Sequence, residues 1–150
     1  MADTRVQLEV EDWVRRNWMP EQYGIRFSRE RLRLRSGGVF DFDAVSEDHS
    51  IVATISTSGA KTAGGNYAVG KMLKLRSDML FLTMVEAKRH IIVLTERDMC
   101  GQCEKEFAAG RVPKEIEFVC AEIPADLRER LEKGREKASG EFLGKAATAG

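Results

Sequence analysis

Alternation of apolar and polar residues between residues 25 and 57 constrains the fold of this chain most strongly. Residues 25–35 alternate apolar side chains with arginines, with an irregularity expected at residues 29–31, and residues 39–45 and 51–56 continue the pattern beyond short turn sequences. The second of these segments should place Phe40, Phe42 and Ala44 on one face. The other face should carry Val39, Asp41, Asp43 and Val45. Residues 31–57 therefore predict a three-stranded antiparallel meander.

Helical patterns precede and follow the meander. Residues 5–18 predict an amphipathic helix that ends at Met19-Pro20, and residues 66–86 predict a long central helix. The run from His90 to Thr95 is short, apolar and β-branched, which is typical of a strand buried on both faces in parallel pairing. A helix over 98–109, a strand over 115–123 and a helix from Pro124 complete the order. We predict an α/β domain of three layers, α/β/α, whose mixed central sheet joins an antiparallel meander to two further strands.

The 150 residues suffice for one domain with its own core, so we predict a single domain over residues 1–143 and a flexible tail over residues 144–150. The longest nearly apolar run, residues 79–85, is far shorter than the roughly 18–20 residues of a membrane span. The amino terminus has no signal-peptide pattern, and the three cysteines are an odd number. These features predict no membrane partner, reduced thiols and a cytoplasmic location.

The equal totals of 24 basic and 24 acidic residues hide a separation of charge along the chain. Residues 56–77 contain no acid, and residues 26–35 contain five arginines and one glutamate. Clusters of this kind attract phosphates in a salt-dependent way that does not depend on sequence. Solvated faces used for self-association, as in a homodimer, explain the same pattern. The candidate residues for binding DNA or RNA are Lys61, Lys71, Lys74, Arg76, Arg33 and Arg35.

The order of elements over about residues 5–135, with Asp41 and Asp43 on the second meander strand, resembles the PD-(D/E)XK restriction-endonuclease-like superfamily. The resemblance implies a nuclease fold in which an Asp of the second strand and a Glu-x-Lys of the next strand hold Mg²⁺ and orient a water. Carboxylates suit this hard cation, which lowers the pKa of bound water and neutralises phosphate charge. By this resemblance Asp43, with Asp41, falls at the metal position.

The residues Ser56-Thr57-Ser58 stand where the resemblance expects Glu-x-Lys. Serine is a poor Mg²⁺ ligand in place of a carboxylate, and Ser58 carries no positive charge. Two replacements form a hypothesis for a rearranged site: Lys61 for the lysine, and Glu9 or Glu11 of the first helix for the carboxylate.

Three functions follow as expectations. The first is a catalytically degenerate nuclease-fold domain associated with nucleic acid, and the second is a non-catalytic interaction or oligomerisation module. The third is a Mg²⁺-dependent nuclease with catalytic residues Asp43, Lys61 and Glu9 or Glu11, so Mg²⁺ is expected only if the site is active. Asp41 and Asp43 on a solvated strand face, without any site, remain the alternative to all metal-dependent chemistry.

Overall fold

The computed structural model describes residues 5–61 and 68–135. The predicted loop residues 62–66 and the predicted tail 144–150 lie outside this part of the chain. The elements, in chain order, are α1 (Arg5–Trp13), a π-helical segment (Val14–Trp18), α2 (Met19–Tyr23), β1 (Phe27–Arg33), β2 (Val39–Ser46), β3 (Ile51–Ser56), α3 (Val69–Thr83), β4 (Arg89–Leu94), α4 (Arg97–Ala108), β5 (Ile116–Cys120) and α5 (residues 125–135).

The five strands form one mixed sheet in the order β1-β2-β3-β4-β5. β1, β2 and β3 pair antiparallel, whereas β3, β4 and β5 pair parallel. The predicted α/β class and the predicted mixed sheet are therefore confirmed. β4 reads as a continuous apolar run because both of its faces are covered: Ile91 packs on one side of the sheet and Ile92 on the other.

Two hydrophobic cores lie on opposite faces of this sheet. On one face, Val10 and Val14 of the first helical region and Leu127 and Leu131 of α5 pack against the strands. On the other face, α3 and α4 pack against the strands through side chains that include Met72, Leu75, Leu82, Met99 and Cys103. Two helical layers therefore enclose the sheet, and β2 and β3 lie between them.

A β-bulge in β2 corrects the predicted alternation of that strand. Ser28 pairs with Val45 and Glu30 with Phe42, so two residues of β2, Asp43 and Ala44, lie opposite the single Arg29. Ala44 consequently packs in the α1 core, whereas Phe42 and Val45 pack in the α3 core. The prediction that Ala44 shares a face with Phe42 was wrong, because the inserted residue reverses the facing of all positions that follow it.

The first helical region continues beyond the predicted end at Met19-Pro20. It widens into the π-helical segment Val14–Trp18, in which the Met19 N–H bonds to the Val14 carbonyl, and then continues as α2 to Tyr23. Pro20 stands in the first turn of α2, directly after the π-helical segment. The helix ends instead at Gly24, whose φ of 71° is left-handed.

A disulfide joins Cys100 of α4 to Cys120 of β5. The expectation of reduced thiols was wrong for these two residues, whereas Cys103 is a buried free thiol. Packing of α4 against the edge strand β5 brings together two cysteines that are 20 positions apart in sequence. Within residues 5–61 and 68–135, no helix is long and apolar enough to cross a membrane.

Candidate functional site

Two carboxyl groups meet where β2 and β3 separate. The two strands pair at Ala44–Ala53 and Val45–Val52, and the next N–H of β3 that points toward β2, that of Ile55, donates to Asp43 Oδ2 at 2.8 Å. The bulge thus turns a side chain, rather than a carbonyl, toward β3. Asp43 also acts on the carboxyl group of Glu11 in α1, whose pKa it raises through its charge and through side-chain hydrogen bonding. A bulge that re-aims a polar side chain is a recurrent feature of functional sites.

The environment of this pair favours the protonated form of Glu11. The pKa of Glu11 is raised from 4.5 to about 7, first by burial and then by the adjacent charge of Asp43. Arg15 opposes this effect from one helical turn away: it lies 3.5 Å from Glu11 and donates from Nε to the Asp43 carbonyl at 2.6 Å. Near neutral pH, the carboxyl group of Glu11 is therefore protonated in part of the molecules.

A third acid approaches the pair from the opposite helical layer. The Asp78 side chain of α3 is only 7% exposed, and burial raises the pKa of its carboxyl group. The ammonium group of Lys74, at 2.6 Å, lowers that pKa, and the charge of Asp43 raises it. Sequence analysis missed Asp78, although an acid four residues after a lysine on the apolar face of a helix is a recognisable signal.

β3 supplies hydroxyl groups beside these acids. Thr54, next to Ile55 in the chain, is 2% exposed, and its Oγ1 has no hydrogen-bond partner within the described structure. Ser56 is half-buried, and its Oγ accepts the Ser58 N–H at 3.3 Å. The two serines at the Glu-x-Lys positions are thus hydrogen-bonded to each other at the end of the strand. Neither brings a charge to the site.

The loop after β3 runs toward β4 and the helices beyond it. The Ser56 carbonyl accepts the Thr95 N–H at 3.2 Å, and the Ala60 N–H donates to Asp98 at 3.1 Å. Lys61 follows on this loop with an exposed side chain. These contacts lie on the side of β3 away from β2. No described contact joins Lys61 to Glu11 or Asp43, and its catalytic role stays a prediction.

The other predicted acids lie in surface ion pairs. Glu9, on α1, accepts two hydrogen bonds from Arg130 of α5, at 2.7 and 2.9 Å. Asp41 is exposed and accepts two from Arg31, at 2.9 and 3.3 Å, which lowers the pKa of its carboxyl group. Of the predicted acids, Glu11 and Asp43 are therefore the two that the structure brings into contact. Within residues 5–61 and 68–135, no three His, Cys, Asp or Glu side chains are grouped as metal ligands.

The predicted basic residues divide into two groups along α3. Lys71 and Lys74 are exposed near the start of α3, beside the end of the loop that carries Lys61. Arg35 lies at the other end of the helix, where its backbone N–H donates to Met84 and its guanidinium to Thr83. About 18 Å of helix separates these ends.

The remaining two arginines lie apart from both groups. Arg76 bonds to Glu106 of α4 at 3.2 Å, and Arg33 is exposed at the end of β1. The basic side chains therefore form separate surfaces and not one patch.

No protein family, curated protein or solved structure matches this chain.

Proposed function

We propose that this chain is a catalytically degenerate domain of restriction-endonuclease-like fold that associates with nucleic acid. The observation that carries the proposal is the contact between Glu11 of the first helix and Asp43 at the bulge in β2. The order of helix, antiparallel meander, crossover helix and parallel strand agrees with the fold that the resemblance implies.

Degeneracy follows from the chemistry of the neighbouring positions. Ser56 and Ser58 occupy the positions of the acid and the lysine, and the Asp43 carboxylate is already engaged by the Ile55 N–H and by Glu11. Mg²⁺ is commonly held by one or two protein carboxylates together with substrate phosphates. In the alternative of an active nuclease, Glu11 and Asp43 are the residues that would hold such an ion, which would supply charge neutralisation and an activated water.

Cleavage assays test the degenerate state directly. We expect plasmid and single-stranded DNA to stay intact with Mg²⁺ or Mn²⁺. Asp43→Asn is the suitable control variant, because it keeps an oxygen acceptor for the Ile55 N–H. Metal-dependent cleavage that is lost in Asp43→Asn would contradict degeneracy and support the alternative of a rearranged nuclease site.

Association with nucleic acid is tested by the salt dependence of binding. Lys61, Lys71 and Lys74 are exposed near the start of α3, and each contact with a phosphate contributes about 0.9 to the slope of log K against log salt concentration. Replacing all three with glutamine should make that negative slope less steep. The matched control replaces the exposed Lys88, Lys105 and Lys114. Absence of salt-dependent binding by the wild type would refute the proposal.

An oligomerisation module is the second candidate function, because α3 exposes an apolar stripe. Val69, Leu73 and Leu80 are 55–57% exposed and follow the spacing i, i+4, i+11 of one helical face. Sedimentation of the wild type against Leu73→Glu separates the two candidates. A dimer that dissociates in the variant, together with no nucleic-acid binding, would favour the oligomerisation module.

A further inference from the structure

One face of the β1–β2 hairpin is left uncovered by the helices. β1 alternates strictly, so Phe27 in the α1 core places Arg29, Arg31 and Arg33 on the same side of the sheet. Phe27 is buried, but all three arginines are exposed. The first helical region therefore covers the start of β1 and leaves the rest of this face open.

The opposite face of the hairpin is packed and holds the strands in place. Leu32 and Phe40 contact the α3 core, and the Phe40 ring stacks on Phe81 of α3 with centroids 4.2 Å apart. The hairpin is consequently supported from behind, and the arginines stand on an ordered surface.

The three arginines form a row of cations on one side of β1. Alternate residues of an antiparallel strand are about 6.8 Å apart, so the row from Arg29 to Arg33 is about 14 Å long. One strand of duplex DNA carries a charge about every 3.4 Å along its axis, which is half of the spacing between neighbouring arginines. Protection of a sheet edge explains charge on an outer strand, but either sign serves that purpose. All three positions here are cationic.

The row begins beside the acidic pair. Arg29 lies opposite the bulge at Asp43 and Ala44, and its charge acts on Glu11 to lower the pKa of that carboxyl group against the larger effect of burial. Farther along the hairpin, Arg31 pairs with Asp41, whereas Arg33 lies opposite the apolar Val39. The net positive charge of this face therefore increases away from the acidic pair.

We infer that the arginine row, defined as Arg29, Arg31 and Arg33, binds the phosphate backbone of one strand of duplex DNA. This inference rests on the proposed association with nucleic acid and adds where the duplex lies: on the open hairpin face, passing the Glu11–Asp43 pair. Guanidinium groups suit the role because they donate two hydrogen bonds to one phosphate. Asp41 restrains the row, since it occupies Arg31 and repels phosphate.

Two substitutions with opposite effects test the inference. Fluorescence anisotropy of a labelled duplex of about 20 base pairs, measured with the full chain between about 50 and 200 mM salt, gives the affinity and its salt slope. The double variant Arg29→Gln/Arg33→Gln should make the negative slope of log K against log salt concentration less steep by about two, one for each phosphate contact. Asp41→Asn should raise the affinity several-fold, because it frees Arg31 and removes a negative charge. A destabilised variant does not mimic this gain.

Matched controls carry the same changes in charge elsewhere on the surface. Arg16→Gln/Arg97→Gln removes two exposed arginines from the outer faces of the first helical region and α4, and Asp126→Asn removes an exposed acid from α5. Neither should change the slope or affinity beyond the uniform effect of net charge.

The results distinguish this inference from the proposed function. Binding that falls in the Lys61/Lys71/Lys74 variant but not in the hairpin variant refutes the arginine row and leaves nucleic-acid association standing. Hairpin effects confined to single-stranded DNA or to RNA overturn the assignment to a duplex. No salt-dependent binding by the wild type overturns both.

Discussion

The substitution Glu11→Gln, followed by unfolding at several pH values, tests the contact between the two carboxyl groups. In the folded chain the pKa of Glu11 is raised from 4.5 to about 7, first by burial and then by the charge of Asp43. Between these values the folded state keeps a proton that the unfolded state has released. The free energy of unfolding of the wild type should therefore decrease as pH rises from about 4.5 to about 7, and should stay at the lower value above that range.

The size of the effect follows from the shift. One pKa unit corresponds to about 1.4 kcal/mol, so a rise from 4.5 to about 7 sets an upper limit of about 3.4 kcal/mol. Solvent reaches part of the site, because the Glu11 side chain is 18% exposed and Arg15 beside it is 13% exposed. Screening by this solvent reduces the expected effect to about 1–2 kcal/mol.

Urea unfolding at about pH 5 and about pH 8.5 measures the difference. Glutamine keeps a hydrogen-bond donor toward Asp43 but has no charge to lose. Glu11→Gln should match the wild type at the lower pH and be more stable by about 1–2 kcal/mol at the higher pH. Glu21→Gln, an exposed acid of α2, is the control and should follow the wild-type profile. Parallel profiles for the wild type and Glu11→Gln would refute the raised pKa of Glu11.

Three further substitutions test the energetics of the fold. Cys120→Ser removes a disulfide that spans 20 positions and should cost about 3 kcal/mol of stability, a loss that a dithiol reductant reproduces in the wild type but does not add to in the variant. Glu96→Gln removes the charge of a buried acid that lies 2.5 Å from Arg128, and it should lower the free energy of unfolding in urea by about 2–3 kcal/mol. An unchanged free energy of unfolding would show that the ion pair is dispensable. Thr54→Val replaces a buried hydroxyl without a partner in the described structure and should stabilise the chain by up to about 1 kcal/mol in thermal unfolding, whereas destabilisation would mean that the hydroxyl is hydrogen-bonded.

Local pattern was enough to predict the meander and the parallel strand that follows it. Alternation reports which faces of a strand are buried, and a fully apolar run such as Ile91–Leu94 reports burial on both. Both signals depend on neighbours within a few residues. For the same reason the irregularity expected at residues 29–31 of the first strand corresponds to the register shift opposite Arg29, although the extra residue lies in β2.

The end of the first helical region and the facing of Ala44 were not predictable in this way. A proline is compatible with both the end of a helix and the first turn of a new helical segment, and the π-helical segment before Pro20 decided between them. A bulge leaves the composition of a strand unchanged while reversing the faces of the residues beyond it.

The candidate site also combines features that local sequence pattern predicts with contacts that only tertiary packing decides. The sequence by itself determined that Asp43 lies on the second strand, that Glu11 lies on an amphipathic helix, and that arginines alternate along the first strand, because each depends on local periodicity. Only the tertiary structure decided that Glu11 rather than Glu9 contacts Asp43, that Asp78 approaches from α3, and that Cys100 bonds to Cys120. Those contacts join positions at least 20 residues apart, and they depend on how the helical layers pack on the sheet and not on any repeat in the chain.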